Sequence, residues 1–471
     1  MIPSLAVVGQ PNKGKSSIVS TLSENTQVQI SPIPGTTRSA DHFTLTIDGE
    51  ALYDLIDTPG FQRAGQVYKW LAAHNSDASS RPELVQRFVS EHEEDPRYAD
   101  ECALLKPILE GAGILYVVDG SKPYGAEYEL EMDILRWTGR PRMALINMIG
   151  SGDHRDAWRA GLGQYFSIVR EFNAHQASFK QRTALLSTFA ELEEAWRIPL
   201  KRATQALEQE RLRQLQQASS AIADLLHTAI AAKVEKRVSQ AEPDQATTEK
   251  LKEKLTEKLT EKLQKQIRTA ERRSQQEVQR IYHHQPSTVS SAQLELLNTD
   301  IFTEQSWQLF GLSRFQLVTT GAASGAVAGG GLDLLLGGSS LLLGSVLGGM
   351  IGSITAWFGG PELAKIKLLG HPMGGDMATA GPIRDPNFPW VLLGRACLHL
   401  ALISERNHAV RNQVVAELEN DERFFDFLSA SERMQVERLF GKIRQGDNDA
   451  RTKLSLAIQS VISNYQAQQV F

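Results

Sequence analysis

Cysteine is scarce in this 471-residue chain, which contains only Cys102 and Cys397. Two cysteines without a CxxC pair or a cysteine–histidine ligand spacing argue against a disulfide framework and against a structural zinc site. The N-terminus also lacks a charged segment followed by a long apolar core, so a secretory signal is not expected. These absences predict a protein of a reducing, cytoplasmic compartment.

An excess of positive charge is missing as well. The chain has 50 Lys and Arg against 55 Asp and Glu, a formal net charge of −5, and a pI of about 6.2. Proteins that work on a nucleic-acid backbone usually have a basic excess, so nucleic acid is not the expected partner. Hydrophobic residues make up 41 %, enough for packed cores, and the length predicts about two to four domains.

A phosphate-binding loop is predicted near the start of the chain. The segment GQPNKGKS, residues 9–16, matches GxxxxGK[ST] between a strand-like run and a helix-forming segment. The backbone N–H groups of such a loop surround phosphates at the positive end of a helix. Lys15 is expected to pair with the β- and γ-phosphates, and the Ser16 hydroxyl to hold Mg²⁺. The predicted nucleotide-binding residues here are Gly9, Asn12, Lys13, Gly14, Lys15, Ser16 and Ser17.

Two further motifs supply the groups that a Mg²⁺·nucleotide site still needs. Thr37 in PGTTR and Asp57 in DTPG stand at suitable spacing to complete the Mg²⁺ ligand set with Ser16. Gly60 is predicted to offer its N–H to the γ-phosphate, so that its loop senses that phosphate. Catalysis is therefore assigned to Lys15, Thr37 and Gly60. The runs HFTLTIDG and ALYDLID predict an antiparallel hairpin between these motifs.

Together, GxPNxGKS, PGTTR and DTPG resemble the bacterial translation-factor-related GTPases, nearest to the group typified by Era and TrmE. The resemblance implies an α/β P-loop NTPase domain, a mostly parallel sheet with helices on both faces, and slow hydrolysis of GTP to GDP with Mg²⁺. Asn12 matches the asparagine of members that K⁺ stimulates. Phe61 stands where Ras-like proteins have the glutamine that orients water, so K⁺, a homodimer or a partner is expected to position that water.

The guanine-specificity motif of this group, Asn-Lys-x-Asp, is degraded. After the strand-like run PRMALIN the chain reads NMIG over residues 147–150, which keeps Asn147 but not the lysine or the aspartate. Asp153 is either a substitute for that aspartate or an ordinary turn residue. Ser187 in ALLSTFAE matches the serine of the family's last base-contacting loop. Asn147 and Ser187 are therefore the predicted base contacts, and guanine specificity is only the family's default.

Composition divides the chain into four predicted domains. They are a P-loop GTPase domain over 1–197 with an insertion at about 62–110, a long charged helical hairpin over 198–300, a glycine-rich apolar hairpin over 301–362 and a small helical domain over 363–471. The insertion either reports nucleotide state to a partner or to the rest of the chain, or is an addition to the surface with no such role. The all-α half from about residue 200 onward resembles an uncharacterised domain that is attached to such GTPases.

The apolar stretch between Arg314 and Glu362 contains one charged residue, Asp333. Glycines recur every four residues in its two pieces, 315–331 and 334–358, which predicts a closely packed helical hairpin. The hairpin either enters a bilayer, which we favour, or packs within protein. The predicted function is a GTP-dependent switch that engages a membrane or membrane protein at the inner face of the cell membrane. The alternatives are a soluble GTPase acting on RNA or ribosome assembly, and a nucleotide-binding scaffold.

Overall fold

The computed structural model describes most of the chain, in two compact units, Met1–Arg211 and Leu212–Phe471. The described residues are 2–23, 40–47, 49–75, 77–174, 177–238, 245–282, 299–313, 316–317, 356–358, 367–368, 371–372, 376–404 and 423–468. Thr37 and most of the predicted glycine-rich hairpin, residues 318–355 among them, lie outside these residues.

A six-stranded sheet forms the centre of the first unit, in the order β2-β3-β1-β4-β5-β6. Its strands are β1 (Ser4–Val8), β2 (Asp41–Ile47), β3 (Glu50–Asp57), β4 (Gly113–Asp119), β5 (Arg142–Asn147) and β6 (Ile168–Glu171). β2 runs antiparallel to β3, and every other neighbouring pair is parallel. The predicted antiparallel β-hairpin, formed by β2 and β3, and the mostly parallel sheet are both confirmed.

Helices cover both faces of this sheet, as predicted. They are α1 (Lys15–Ser23), α2 (Ala64–His74), α3 (Arg81–His92), α4 (Ala99–Leu109), α5 (Glu127–Trp137), α6 (Arg155–Leu162), α7 (Phe179–Phe189) and α8 (Arg197–Ile230). Successive strand residues point to opposite faces, so Leu5 and Val7 join one core with α1 and α7, while Ala6 and Val8 join another with α2 to α6. The central strands β1, β4 and β5 are buried on both sides, which explains their continuous apolar runs, whereas the edge strand β6 is partly exposed.

The predicted insertion forms the helices α2, α3 and α4. Their buried residues, among them Val67, Phe88 and Leu105, belong to the same core as one face of the sheet. The insertion is therefore packed into the first unit and is not a loose appendage. The long helix α8 starts at Arg197, and the division between the two units falls within it.

The second unit is mainly helical. Its elements after α8 are β7 (Val234–Val238), α9 (Gln245–Ile281), α10 (Glu304–Phe310), β8 (Ala356–Phe358), β9 (Lys367–Leu368), β10 (His371–Pro372), β11 (Asp376–Ala380), α11 (Phe388–Ser404), α12 (Ala430–Arg444) and α13 (Asp449–Gln468). The helical C-terminal half is confirmed. Ser429 caps α12 in a capping box with Glu432, as the sequence SASE predicts.

Strands in this half correct the all-α prediction. Within the charged helical hairpin predicted over 198–300, the first long helix ends at Ile230, and β7 follows it and pairs antiparallel with β11. The β-branched valines at both ends of VEKRV suit a strand better than a helix end. β8 pairs with the other edge of β11, so the last residues of the predicted second apolar helix, 356–358, are a strand instead.

Helix α11 lies at the centre of the second unit, and every residue from Phe388 to Ser404 is buried. A helix that is apolar on all sides belongs in a core. Arg395 on this helix donates through Nε to Oε1 of Glu271 on α9 at 2.6 Å, so it forms a buried interhelical ion pair. None of the helices in the described ranges has both the length and the apolar character that a bilayer crossing requires.

Candidate nucleotide-binding site

The loop from Gly9 to Ser16 joins the carboxyl end of β1 to the first residues of α1. Asn12 has a φ of 60°, a left-handed conformation that asparagine tolerates better than most residues. Gly14 has a φ of 85°, and a Cβ there would lie 2.3 Å from Nδ2 of Asn147. Glycine is therefore required by both backbone conformation and space. The loop places its N–H groups at the positive end of α1.

Lys15 is buried in the loop and folds back onto its backbone. Its Nζ donates to the carbonyl oxygens of Gly9 at 3.1 Å and Gln10 at 3.0 Å. Burial lowers the pKa of Lys15, and the negative charges of Asp57 and Glu131 oppose that shift. An ammonium group with two exchangeable carbonyl partners is suited to move onto phosphate oxygens.

Ser16 and Asp57 meet at the same edge of the sheet. The Ser16 hydroxyl donates to Oδ2 of Asp57 at 2.6 Å, and Asp57 ends β3. Oδ1 of Asp57 is buried and has no hydrogen-bond partner among the described residues. Burial raises the pKa of this carboxyl group, whereas the Ser16 hydrogen bond and the charge of Lys15 lower it. A hydroxyl beside a carboxylate with one unused oxygen is a donor set that fits Mg²⁺.

The DTPG segment lies against the phosphate loop. Thr58 donates its hydroxyl to the carbonyl oxygen of Val7 at 2.8 Å, which fixes the segment to β1. At Gly60 a Cβ would lie 2.6 Å from the backbone nitrogen of Pro11, so only glycine allows this approach. Phe61, 4 % exposed, packs into the core that contains the insertion helices.

Asn147 ties two loops together. Its Nδ2 donates to the carbonyl oxygen of Lys13 at 3.2 Å, and its Oδ1 accepts from the backbone N–H of Ala174 at 3.3 Å. Ala174 belongs to the loop that follows β6. Asn147 therefore bonds protein backbone with both ends of its amide, a structural role that needs neither the lysine nor the aspartate of the motif.

Ser187 does not lie in a loop, which corrects the prediction. It is inside α7, and its hydroxyl donates to the carbonyl oxygen of Thr183 at 3.1 Å. The loop that adjoins Asn147 comes earlier, after β6. A signal for this was present in the sequence: Ser178 and Gln181 form a capping box, and that pattern marks a helix start.

Asp153, the candidate substitute for the missing aspartate, is bound to Arg155. Its two carboxylate oxygens accept from Nε at 2.8 Å and Nη2 at 2.7 Å. These hydrogen bonds lower the pKa of Asp153 to about 2. Arg155 also pairs with Glu171 at 3.0 Å. These contacts favour the ordinary turn aspartate of the two alternatives.

Glu131 is a buried carboxylate beside the phosphate loop that sequence motifs did not reveal. It lies on α5, accepts from Nε2 of Gln10 at 2.9 Å and from the Tyr116 hydroxyl at 2.9 Å. Burial raises the pKa of Glu131 to about 7, although both hydrogen bonds and the charges of Lys15 and Lys13 lower it. A single glutamate in an amphipathic helix has no sequence signature.

The structure thus brings most predicted site residues to one place. Gly9 to Ser17, Asp57, Gly60 and Asn147 all lie at the carboxyl ends of β1, β3 and β5 or in the loops that follow them. Lys13 is buried, with Nζ 5.6 Å from the centre of the Tyr128 ring, and Ser17 is in the first turn of α1.

Comparison with known proteins identifies both halves of the chain. The family described as a domain of unknown function (DUF3482) matches residues 159–468, more than half of the 471 residues. The chain belongs to the DUF3482 family. Residues 4–148 match the family described as 50S ribosome-binding GTPase, so this DUF3482 protein has a small-GTPase domain at its N-terminus.

The curated relatives are similar only over part of that domain. GTPase Der of Chloroflexus aggregans is 42 % identical over 71 residues, 15 % of this chain and 16 % of the relative. GTPase Der of Lactobacillus johnsonii is 45 % identical over 64 residues, 14 % of each protein. The DUF3482 chain therefore spans about a sixth of the length of the curated relatives that it matches.

Two solved structures are similar to the DUF3482 chain at low identity. A variant of Era from Aquifex aeolicus bound to GDP·AlF4⁻ has 19 % identity and a TM-score of 0.28, with 52 % of this chain and 74 % of that chain covered. An S. thermophilus NFeoB variant bound to GMPPNP has 17 % identity and a TM-score of 0.26, with 61 % and 94 % covered.

Proposed function

We propose that this DUF3482 protein is a Mg²⁺-dependent molecular switch that binds GTP and hydrolyses it slowly. The observation that carries this proposal is the meeting of Ser16 and Asp57 beside Lys15 in the loop of a GxxxxGKS motif. Assignment to the Era/TrmE-like group, rather than to small GTPases in general, is part of the proposal. It rests on the residues of the motifs GxPNxGKS, PGTTR and DTPG.

Each residue of the site has a defined role in this proposal. Lys15 leaves the carbonyl oxygens of Gly9 and Gln10 for the β- and γ-phosphates, so phosphate replaces two neutral acceptors with charged ones. Ser16, Asp57 and Thr37 would hold Mg²⁺, which neutralises charge on the phosphates. The N–H of Gly60 would sense the γ-phosphate.

Water positioning requires a group other than residue 61. The Phe61 side chain is apolar and buried in a core, so it does not orient an attacking water. We propose K⁺ held by Asn12, or a second protein copy, for this role. Rates in KCl and NaCl at equal ionic strength test the first version, because equal rates contradict it.

Nucleotide binding is tested directly with the full chain. Titration with fluorescent GTP, GDP and ATP derivatives should give saturable binding that Lys15→Ala abolishes. Lys69→Ala, which removes an exposed lysine on α2, is the matched control and should bind as wild type does. Retention of binding by Lys15→Ala would refute the assignment of the phosphate loop.

We further propose that the C-terminal half engages a membrane at its cytoplasmic face in a nucleotide-dependent way. Support comes from the sequence: one charge between Arg314 and Glu362, and glycines at four-residue spacing. Flotation with phospholipid vesicles in GTP, GDP or no nucleotide is the test. A protein that stays at the bottom of the gradient in all three states contradicts membrane engagement.

Ribosome or RNA binding is the second candidate. Its support is the description of the family that matches residues 4–148 as 50S ribosome-binding GTPases. Against it stands the net charge of −5, because binding to a phosphate backbone depends on positive charge. Co-sedimentation with purified ribosomal subunits in low and high salt distinguishes this candidate from the membrane proposal.

A further inference from the structure

Glu101 is a second buried carboxylate that the nucleotide site does not explain. It lies on α4, in the insertion, and is 1 % exposed. Its Oε1 accepts the backbone N–H of Gln62 at 2.9 Å and of Arg63 at 2.5 Å. The insertion therefore binds the main chain two and three residues after Gly60, the predicted γ-phosphate sensor.

One of these two hydrogen bonds, that from Arg63, is at the N-cap of α2. Helix α2 begins at Ala64, and its N-cap residue, Arg63, makes no side-chain capping bond. A carboxylate is favourable at this end of a helix, since the first N–H groups lack partners and the dipole is positive there. Glu101 supplies this capping from a different helix, 38 positions along the chain from Arg63.

The same short segment is held on its other sides too. Gly60 lies against Pro11 of the phosphate loop, and Phe61 is buried in the core that contains α2, α3 and α4. Four consecutive residues, 60–63, thus contact the phosphate loop at one end and the insertion at the other. Because residues 60–63 are consecutive, a displacement of Gly60 also shifts the residues next to it. It is therefore expected to change the contacts of Phe61 or the hydrogen bonds to Glu101.

Burial strengthens the hydrogen bonds between Glu101 and residues 62 and 63. A buried carboxylate loses its hydration, and hydrogen bonds that it accepts are stronger than those between neutral groups. Oε2 of Glu101 is buried and has no hydrogen-bond partner among the described residues. Oε1 is therefore the atom through which the carboxylate holds the loop.

We propose that Glu101 is a positioning residue whose carboxylate holds the loop after Gly60 and relays movements of that loop to α4. This rests on the proposed GTP switch. In this proposal the insertion reports nucleotide state, the first of the two alternatives that its sequence left open. Glu101 does not touch the nucleotide, so its effect is expected on hydrolysis and on the difference between nucleotide states.

The test compares wild type, Glu101→Ala and Glu101→Gln in the full chain. Glu101→Ala should lower kcat about tenfold because the Gly60 loop is no longer held in place, with GDP affinity within about twofold of wild type. Glu101→Gln keeps an acceptor oxygen and should recover part of the rate. Glu110→Gln, an exposed residue at the end of α4, is the matched control and should match wild type.

Hydrogen–deuterium exchange supplies the readout that a merely structural residue would not change. In wild type, exchange over residues 60–63 and 99–109 should differ between GDP and a non-hydrolysable GTP analogue. Glu101→Ala should speed exchange at 62 and 63 and remove the difference at 99–109, and Glu101→Gln should do so partly.

The outcomes separate the two proposals. If the wild-type protein binds no guanine nucleotide, the proposed GTP switch itself is wrong. If wild type turns over GTP, while folded Glu101→Gln and Glu101→Ala keep the wild-type kcat and the state-dependent exchange of α4, the relay through Glu101 is wrong. If Glu101→Ala does not fold, Glu101→Gln with unchanged kcat and exchange overturns the relay by itself.

Discussion

Asn147 donates its side-chain amide to the carbonyl oxygen of Lys13 across 3.2 Å, although 134 positions separate the two residues in the chain. The same side chain accepts from Ala174. Asn147 ends β5, which lies two strands from β1 in the sheet, and from there it supports the phosphate loop whether or not the base is read there.

Removal of this support should weaken the phosphate grip. Asn147→Ala deletes two hydrogen bonds of buried groups, each about 1 kcal/mol, so we expect nucleotide affinity to fall about tenfold for GTP and ATP alike. Isothermal titration measures it. Gln164→Ala, an exposed polar residue, is the control. A loss confined to GTP would instead mean that Asn147 reads the base.

Asp57→Asn should separate Mg²⁺ from phosphate binding. The amide keeps the shape of the side chain and its contact with Ser16 but removes the negative charge that a divalent ion requires. With Mg²⁺ present, GTP affinity should fall at least about tenfold; with EDTA, variant and wild type should bind equally. Asp156→Asn, exposed on α6, should behave as wild type. Equal Mg²⁺ dependence of variant and wild type would remove Asp57 from the ligand set.

Glu131 should make stability depend on pH. Its folded pKa, about 7, lies above the ordinary 4.5, so the folded protein retains this proton longer than the unfolded chain. The stabilisation is fully present below about pH 4.5 and is lost as pH rises through 7. Relative to wild type, Glu131→Gln should gain on the order of 3 kcal/mol over this interval, measured by denaturant unfolding at several pH values. A pH-independent difference contradicts this.

Base selectivity should improve when the degraded motif is restored. Met148→Lys with Gly150→Asp recreates Asn-Lys-x-Asp and supplies an acceptor for the guanine N1–H and amino groups, so the preference for GTP over ATP should rise at least about tenfold. A Cβ at Gly150 would lie 2.9 Å from the Ser121 hydroxyl oxygen, so that side chain must turn. Competition binding of GTP and ATP provides the measurement, and an unchanged ratio defeats the prediction.

The buried ion pair between Arg395 and Glu271 should be essential to the second unit. Glu271→Ala leaves the guanidinium of Arg395, 2 % exposed, without its carboxylate, a loss of about 3–5 kcal/mol. Amide exchange within α11 under native conditions reports this free energy. Glu277→Ala on the same helix breaks only the exposed pair with Arg280 and should change stability by less than about 1 kcal/mol. Similar effects of both variants would contradict the assignment.

The sequence is enough to predict the phosphate loop, the β2–β3 hairpin and the mostly parallel sheet. These depend on short-range patterns: fixed glycine and lysine spacing, alternating or continuous apolar strands, and capping residues such as Ser429. It also predicted that Asp57 and Ser16 would share a Mg²⁺ site, because the order and spacing of the GxxxxGKS and DTPG motifs suit one.

The surroundings of single residues that belong to no motif depend on the three-dimensional fold. Glu131 and Glu101 lie on ordinary amphipathic helices, and their importance arises from burial against the phosphate loop and against the segment after Gly60. The motif match at Ser187 predicts a loop, whereas the capping box at Ser178 predicts the helix that the fold contains there. Residues Val234–Val238 form a strand because β11, more than 130 positions later in the chain, supplies the hydrogen bonds, and such long-range pairing leaves little trace in the local sequence.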